Sequence, residues 1–128
     1  MLGFSSPPDE KPSIAYFSME VGVDPAMHTY SGGLGVLSGD TLRAAADLGV
    51  PMVAVTLLHR RGYFRQHLDT LGNQTEGESP WFPEEFLTLL PVRVVIPLSD
   101  HMVQVQAWRY DLRGQSGHVV PILFLVVE

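Results

Sequence analysis

Apolar positions follow two rhythms along this chain, and the change falls near its middle. Ile14-Ala15-Tyr16-Phe17-Ser18-Met19 is a short, nearly continuous apolar and aromatic run, which predicts a buried β-strand with Glu20 at its carboxyl end. Val21 to Tyr30 holds Gly22, Asp24-Pro25 and His28 and reads as a loop. From Gly32 the rhythm becomes helical, with Leu34, Leu37, Leu42, Ala45 and Leu48 spaced to share one apolar face. Gly49 in a left-handed cap position, with Pro51 beyond it, ends that helix. Met52 to Leu58 is a second apolar run and predicts a second buried strand. Strand, loop, helix and strand in this order form a βαβ crossover, which implies a parallel sheet.

Beyond Leu58 the pattern becomes β-rich. Gly62 to Asp69 reads as a strand followed by a turn at Leu71-Gly72-Asn73, and the polar, proline-bearing stretch Thr75 to Phe86 reads as surface loop. Val92 to Ile96 is apolar between Pro91 and Pro97, and Val103 to Ala107 alternates with period two into Trp108–Tyr110. Arg113 to Gly117 predicts a hairpin loop that returns Val119 to Val127 onto residues 102–110. No internal repeat is present. Residues 1–12, with Ser5-Ser6-Pro7-Pro8 and Pro12, read as a flexible lead-in to one unit over 13–128. The last apolar run reaches Glu128 with no element behind it to cover the sheet, so the unit reads as an incomplete domain.

Composition narrows the function classes. With 128 residues, 45% hydrophobic and 17% charged, the chain is too apolar for intrinsic disorder. No apolar run approaches the roughly 20 residues that span a bilayer, and the amino terminus lacks the pattern of a signal peptide. The absence of cysteine excludes a disulfide scaffold and thiolate metal sites, and suits a cytoplasmic protein. A net charge of −6 without a basic cluster argues against nucleic acid or an anionic membrane as partner. Seven of the eight basic residues are arginine; Lys11 is the only lysine.

The strongest chemical signal is Gly32-Gly33-Leu34-Gly35 at the start of the predicted helix. The first amides of a helix lack internal partners and carry partial positive charge, and glycines let an anion approach the backbone closely. The competing reading is that the glycines only permit tight packing of helix on sheet, and the residues alone leave both open. A P-loop is excluded because no lysine follows the glycines. Gly33-x-Gly35-x-x-x-Gly39 is a poor dinucleotide fingerprint. A long loop separates it from the strand, and His59-Arg60-Arg61 stands where an acidic residue belongs.

Several blocks together resemble one family. Ile14-Ala15-Tyr16-Phe17-Ser18-Met19-Glu20, Tyr30-Ser31-Gly32-Gly33-Leu34-Gly35-Val36-Leu37-Ser38-Gly39-Asp40, Ala46-Asp47-Leu48-Gly49-Val50-Pro51 and Arg61-Gly62-Tyr63-Phe64-Arg65-Gln66 resemble, in order, the N-terminal region of α-glucan (glycogen, starch, maltodextrin) phosphorylases. The likeness is strong over residues 12–76 and looser over 77–128. It implies an α/β fold, here part of the N-terminal Rossmann-like domain of a GT-B glycosyltransferase with a β-rich second half. It implies cleavage of terminal α-1,4-linked glucose by inorganic phosphate, giving glucose 1-phosphate. It also implies pyridoxal phosphate on a lysine outside this chain, since Lys11 lies outside the motif, and a homo-oligomeric parent enzyme. On that resemblance Gly32, Gly33, Leu34 and Gly35 belong to a substrate- and phosphate-binding loop, and the chain alone is expected to be inactive. Gly72-Asn73-Gln74 departs from the family's Gly-Trp-Gln.

Other residues carry weaker expectations. Glu20 at a strand end could touch substrate or position a partner, and Arg60 and Arg61 could meet phosphate, against the commoner reading of all three as solvated or ion-paired. His28, His59, His67, His101 and His118 show no close metal-binding spacing. Glu84-Glu85 reads as a solvated loop face, Trp81-Phe82 as an anchor of its loop, and Asp40 and Asp47 as the helix's polar side. Two alternatives stand beside the leading one. A glycogen or starch synthase would carry Lys-x-Gly-Gly-Leu-Gly, but Tyr30 occupies the lysine's place. A non-catalytic glucan- or phosphate-binding remnant would bind without turnover.

Overall fold

The computed structural model describes residues 11–62 and 65–127. Most of the expected lead-in, and Tyr63-Phe64 of the fourth resemblance block, lie outside the described residues. The chain forms β1 (Ile14–Phe17), α1 (Gly33–Asp47), β2 (Met52–Leu57), β3 (Arg65–Leu68), β4 (Gln74–Gly77), β5 (Thr88–Leu98), β6 (His101–Arg113) and β7 (Val119–Val127). The fold is α/β, with a mixed five-stranded sheet ordered β1-β2-β7-β6-β5 and a separate β3–β4 hairpin. β1, β2 and β7 run parallel, while β6 pairs antiparallel with both β7 and β5.

The expected βαβ unit is present: β1 pairs in parallel with β2 across α1, with Ile14 opposite Met52 and Phe17 opposite Val55. The expected return of the last strand is also present. It pairs Val119 with Arg113 and Val127 with Val105, and its other edge takes β2, which makes β7 the central strand. The hairpin loop closes through Gly114 N–H to His118 O at 2.8 Å, with Gly117 at φ 90.

One face of the sheet carries the core. Register places Tyr16, Ala54, Ile122 and Phe124 on the face where Leu42, Ala45 and Ala46 of α1 pack, together with Trp108, Leu112 and Val120. The opposite face, through Phe17, Val55, Leu57 and Leu125, has no helix over it among the described residues. β1 and β2 are therefore not buried on both sides as their composition predicts: Phe17 and Leu57 lie on this second face and are exposed, whereas Ala54 and Thr56 on the helix-bearing face are buried. An apolar run fills both faces of a strand, and α1 covers one among the described residues. Ile14, at the start of the edge strand, is exposed although it shares the face of Tyr16.

Three further expectations are corrected. The buried face of α1 is Gly35, Ser38, Gly39, Leu42, Ala45 and Ala46, whereas Leu34, Leu37 and Leu48 are exposed. The helix approaches its neighbours so closely that small residues line the contact, and an apolarity count cannot register them. Thr75 to Phe86 is not all loop: Gln74–Gly77 pairs with Arg65–Leu68, and Pro83–Glu85 forms a short 3₁₀ turn. Of the expected anchor pair, buried Trp81 holds this stretch by donating its Nε1–H to His59 O at 2.7 Å, whereas Phe82 is exposed. The Val92–Ile96 run extends to Thr88–Leu98 and absorbs both prolines, which an edge strand tolerates, with a register irregularity between Leu89 and Arg93 beside Pro91.

Candidate functional site

The segment between β1 and α1 has no regular structure, yet it is a packed part of the protein. Val21, Val23, Met27 and Thr29 are buried. Its backbone is satisfied locally: Thr29 Oγ1–H donates to Val21 O at 2.5 Å, Gly22 N–H to Gly35 O at 2.9 Å, and the Arg43 guanidinium to Val23 O. Behind it, burial raises the pKa of the Tyr110 phenol, and the negative charge of Asp24 adds to the shift while Arg43 opposes it.

Glu20 ties this segment to the helix start. Its carboxylate accepts the Ser31 N–H at 2.8 Å on one oxygen and the Gly35 N–H at 3.1 Å on the other. Its carbonyl accepts hydroxyls from Ser18 and from buried Ser38, both at 2.7 Å. A carboxylate only 7% exposed is strongly disfavoured unless it is hydrogen-bonded, and here backbone amides supply the bonds.

The four loop residues divide into two kinds. A Cβ on Gly35 would meet Tyr30 Cβ at 2.3 Å, so packing alone requires that glycine, and its N–H is given to Glu20. A Cβ on Gly32 or Gly33 would meet nothing within 4 Å, and neither has a left-handed backbone. Packing therefore accounts for Gly35 and, further along, for Gly39, whose Cβ would lie 1.9 Å from Gly22 O. It does not account for Gly32-Gly33. Gly32 is the N-cap of α1 and makes no side-chain cap, and no acidic residue stands in the first turn. Among the described residues the amides of Gly32, Gly33 and Leu34 have no acceptor, and the Leu34 side chain is exposed. The arrangement can donate two or three N–H groups, with the helix's partial positive charge, to oxygens of a ligand.

The structure does not bring Arg60 and Arg61 to this loop. Arg60 pairs with Glu84 at 3.7 Å and lies 5.7 Å above the Trp108 ring, and Arg61 pairs with Glu78 at 3.0 Å. Glu84 is thus an ion-pair partner as well as a solvated group. Asp40 pairs with Arg43, and Asp47 accepts the Gln115 N–H, so both sit on the helix's polar side. Among the described residues no group of three potential metal ligands converges. Ser31 and Ser38 escaped sequence reasoning as site-building residues. Their one signal was position, flanking the glycines in a stretch otherwise read for its glycines alone.

No family model matches the chain. Curated proteins do. Over 120 residues, 88% of this chain, it is 48% identical to a glycogen phosphorylase of Mycobacterium tuberculosis. Over 110 residues, 80% of the chain, it is 38% identical to a maltodextrin phosphorylase of Thermococcus litoralis. Over 86 residues it is 34% identical to a glycogen phosphorylase of Aquifex aeolicus. The chain spans 13% of the length of the first two relatives and 12% of the third.

Proposed function

We propose, from the premise that this chain is an N-terminal portion of an α-glucan phosphorylase, that its glycine loop serves phosphorolysis of an α-1,4-glucan. The substrates are then the glucan and inorganic phosphate, and the product is glucose 1-phosphate. The observation that carries this reading is the pair Gly32-Gly33, which no packing contact and no backbone conformation requires, next to amides without an acceptor among the described residues. The N–H groups of Gly33 and Leu34 are placed to meet oxygens of the phosphate or the glucosyl unit. Fixed amides at a helix start stabilise charge growing on oxygen in the transition state, at no cost of reorganisation. In α/β sheets ligands gather at the carboxyl ends of parallel strands, and the loop follows the carboxyl end of β1.

The same reading makes the sheet part of the N-terminal Rossmann-like domain of a GT-B fold, in a cytoplasmic, homo-oligomeric enzyme. Pyridoxal phosphate would supply proton exchange through its 5′-phosphate. No residue of this chain suits its Schiff base, because the one lysine, Lys11, is exposed beside β1 rather than enclosed in a site. The cofactor therefore belongs to sequence outside these 128 residues, and the role argued for this chain is confined to its own amides. A synthase-type transferase is not favoured, since the Tyr30 ring fills the space against Gly22 and Gly35 in the place of the synthase lysine.

The test is Gly33→Pro in the protein that carries this chain, assayed for glucose 1-phosphate from maltodextrin and inorganic phosphate. Proline suits the first helical position, and Gly32 before it is extended, so the substitution removes one N–H while leaving the helix start intact. Loss of a transition-state donor predicts a fall in kcat of about a hundredfold or more. Unchanged kcat would rule the loop out of the chemistry.

A further inference from the structure

We infer that Glu20 is a positioning residue for the glycine loop, resting on the functional reading above. Sequence alone leaves open whether it touches substrate, positions a partner or is merely solvated or ion-paired. The geometry selects positioning, because both carboxylate oxygens accept backbone amides of this chain, at Ser31 and at Gly35. These two amides bracket Gly32, Gly33 and Leu34. A three-residue stretch rich in glycine has high conformational freedom, and amides that must stabilise a transition state have to be fixed before the reaction. One carboxylate fixing both ends of the stretch supplies that rigidity.

Glu20 is itself held from behind. The Ser18 and Ser38 hydroxyls both donate to its carbonyl, so its backbone is tied to the residue that follows β1 and to the second turn of α1. Ser38 Oγ also lies 3.0 Å from Gly35 O, and Gly35 O accepts the Gly22 N–H. Glu20, Gly22, Gly35 and Ser38 thus form one hydrogen-bonded knot joining the strand end, the irregular segment and the helix. Its negative charge near the helix start is favourable to the helix dipole. It takes the third helical amide and leaves those of Gly33 and Leu34 to a ligand. The chemistry selected is a pair of neutral donors set beside a fixed anion, with the loop held in a single conformation.

The experiment compares wild type, Glu20→Gln and Glu20→Asp in the protein that carries this chain. It measures kcat and KM for phosphate with maltodextrin, thermal unfolding, and hydrogen exchange of individual amides. Glutamine keeps the shape but weakens the acceptor pair, and aspartate keeps the charge but shortens the reach. The inference predicts a folded Glu20→Gln whose kcat falls by about tenfold or more while KM for phosphate changes less. Exchange at Ser31 and Gly35 should quicken while exchange at Val55 and Leu123 in the central strands stays as in wild type, and Glu20→Asp should fall between. A folded Glu20→Gln with kcat within twofold of wild type would overturn it. So would failure of both variants to fold, which would make the carboxylate a requirement of the fold. If wild type forms no glucose 1-phosphate, the functional reading fails by itself. The exchange pattern at Ser31 and Gly35 then decides whether Glu20 fixes the loop.

Discussion

Gly33 and Gly39 stand on one helix, and a methyl group would meet opposite surroundings at the two. At Gly39 it would lie 1.9 Å from the carbonyl oxygen of Gly22, a backbone atom that cannot rotate away. Gly39→Ala should therefore destabilise the protein by about 1–3 kcal/mol through overpacking. At Gly33 the methyl meets open space, so Gly33→Ala should keep stability or raise it by about 0.4–1 kcal/mol by restricting the unfolded chain. Urea denaturation midpoints of the two variants check this, and equal midpoints would contradict the division into glycines that packing requires and glycines that it does not. The glycine spacing was legible in the sequence and so was the helix it opens. Which glycines face a neighbour was not, because that depends on the path of the Val21–Tyr30 segment. Glu20 shows the same limit: its place at a strand end could be read, but the amides it holds lie across an irregular loop with no periodicity to follow.

At the scale of elements, local signals performed well wherever the chain closes on itself. Helix α1 ends as its sequence predicts. Gly49 sits at φ 71, its N–H bonds Ala46 O at 3.3 Å, and the Val50 N–H bonds Ala45 O at 2.9 Å, the paired bonds of a Schellman cap. Gly49→Ala should cost about 1 kcal/mol, seen as a lower unfolding midpoint, because a side chain disfavours that backbone. The β3–β4 turn is held by Asp69, whose carboxylate accepts the Leu71 N–H, the Asn73 N–H and the Asn73 side-chain amide. The Asn73 side-chain bond leads the causes that hold its pKa below the usual carboxylate value of 3.8. A carboxyl with a lowered folded-state pKa stabilises above the unfolded value and loses that contribution as pH falls through the folded one. The turn should therefore loosen only below about pH 4, seen as faster exchange of the Asn73 amide together with Asp69 titration. Loosening between pH 5 and 7 would contradict it. Strand identities were legible for the same local reasons, while β4 was missed because Gln74-Thr75-Glu76-Gly77 is polar on both faces and exposed.

Across the whole molecule, the parallel strands carry apolar side chains on both faces, but α1 covers one. Phe17, Val55, Leu57 and Leu125 continue toward Val105 and Val94 by register, on the face that no helix covers among the described residues. The 128-residue chain by itself should bind a hydrophobic dye and self-associate as its concentration rises in sedimentation. A compact monomer that ignores the dye would contradict this. The apolar runs predicted burial on both sides of these strands. The sequence pattern is that of a sheet needing two covers, which a chain spanning 13% of its relatives' length need not contain.

The proposed function makes these residues the glycine loop of an α-glucan phosphorylase. Its most direct test replaces the matching 120 residues of the Mycobacterium tuberculosis glycogen phosphorylase with this chain and measures glucose 1-phosphate released from maltodextrin and inorganic phosphate. The chimera should retain activity, and Gly33→Pro within it should lower kcat by about a hundredfold. A folded chimera without activity, or one indifferent to Gly33→Pro, would contradict it.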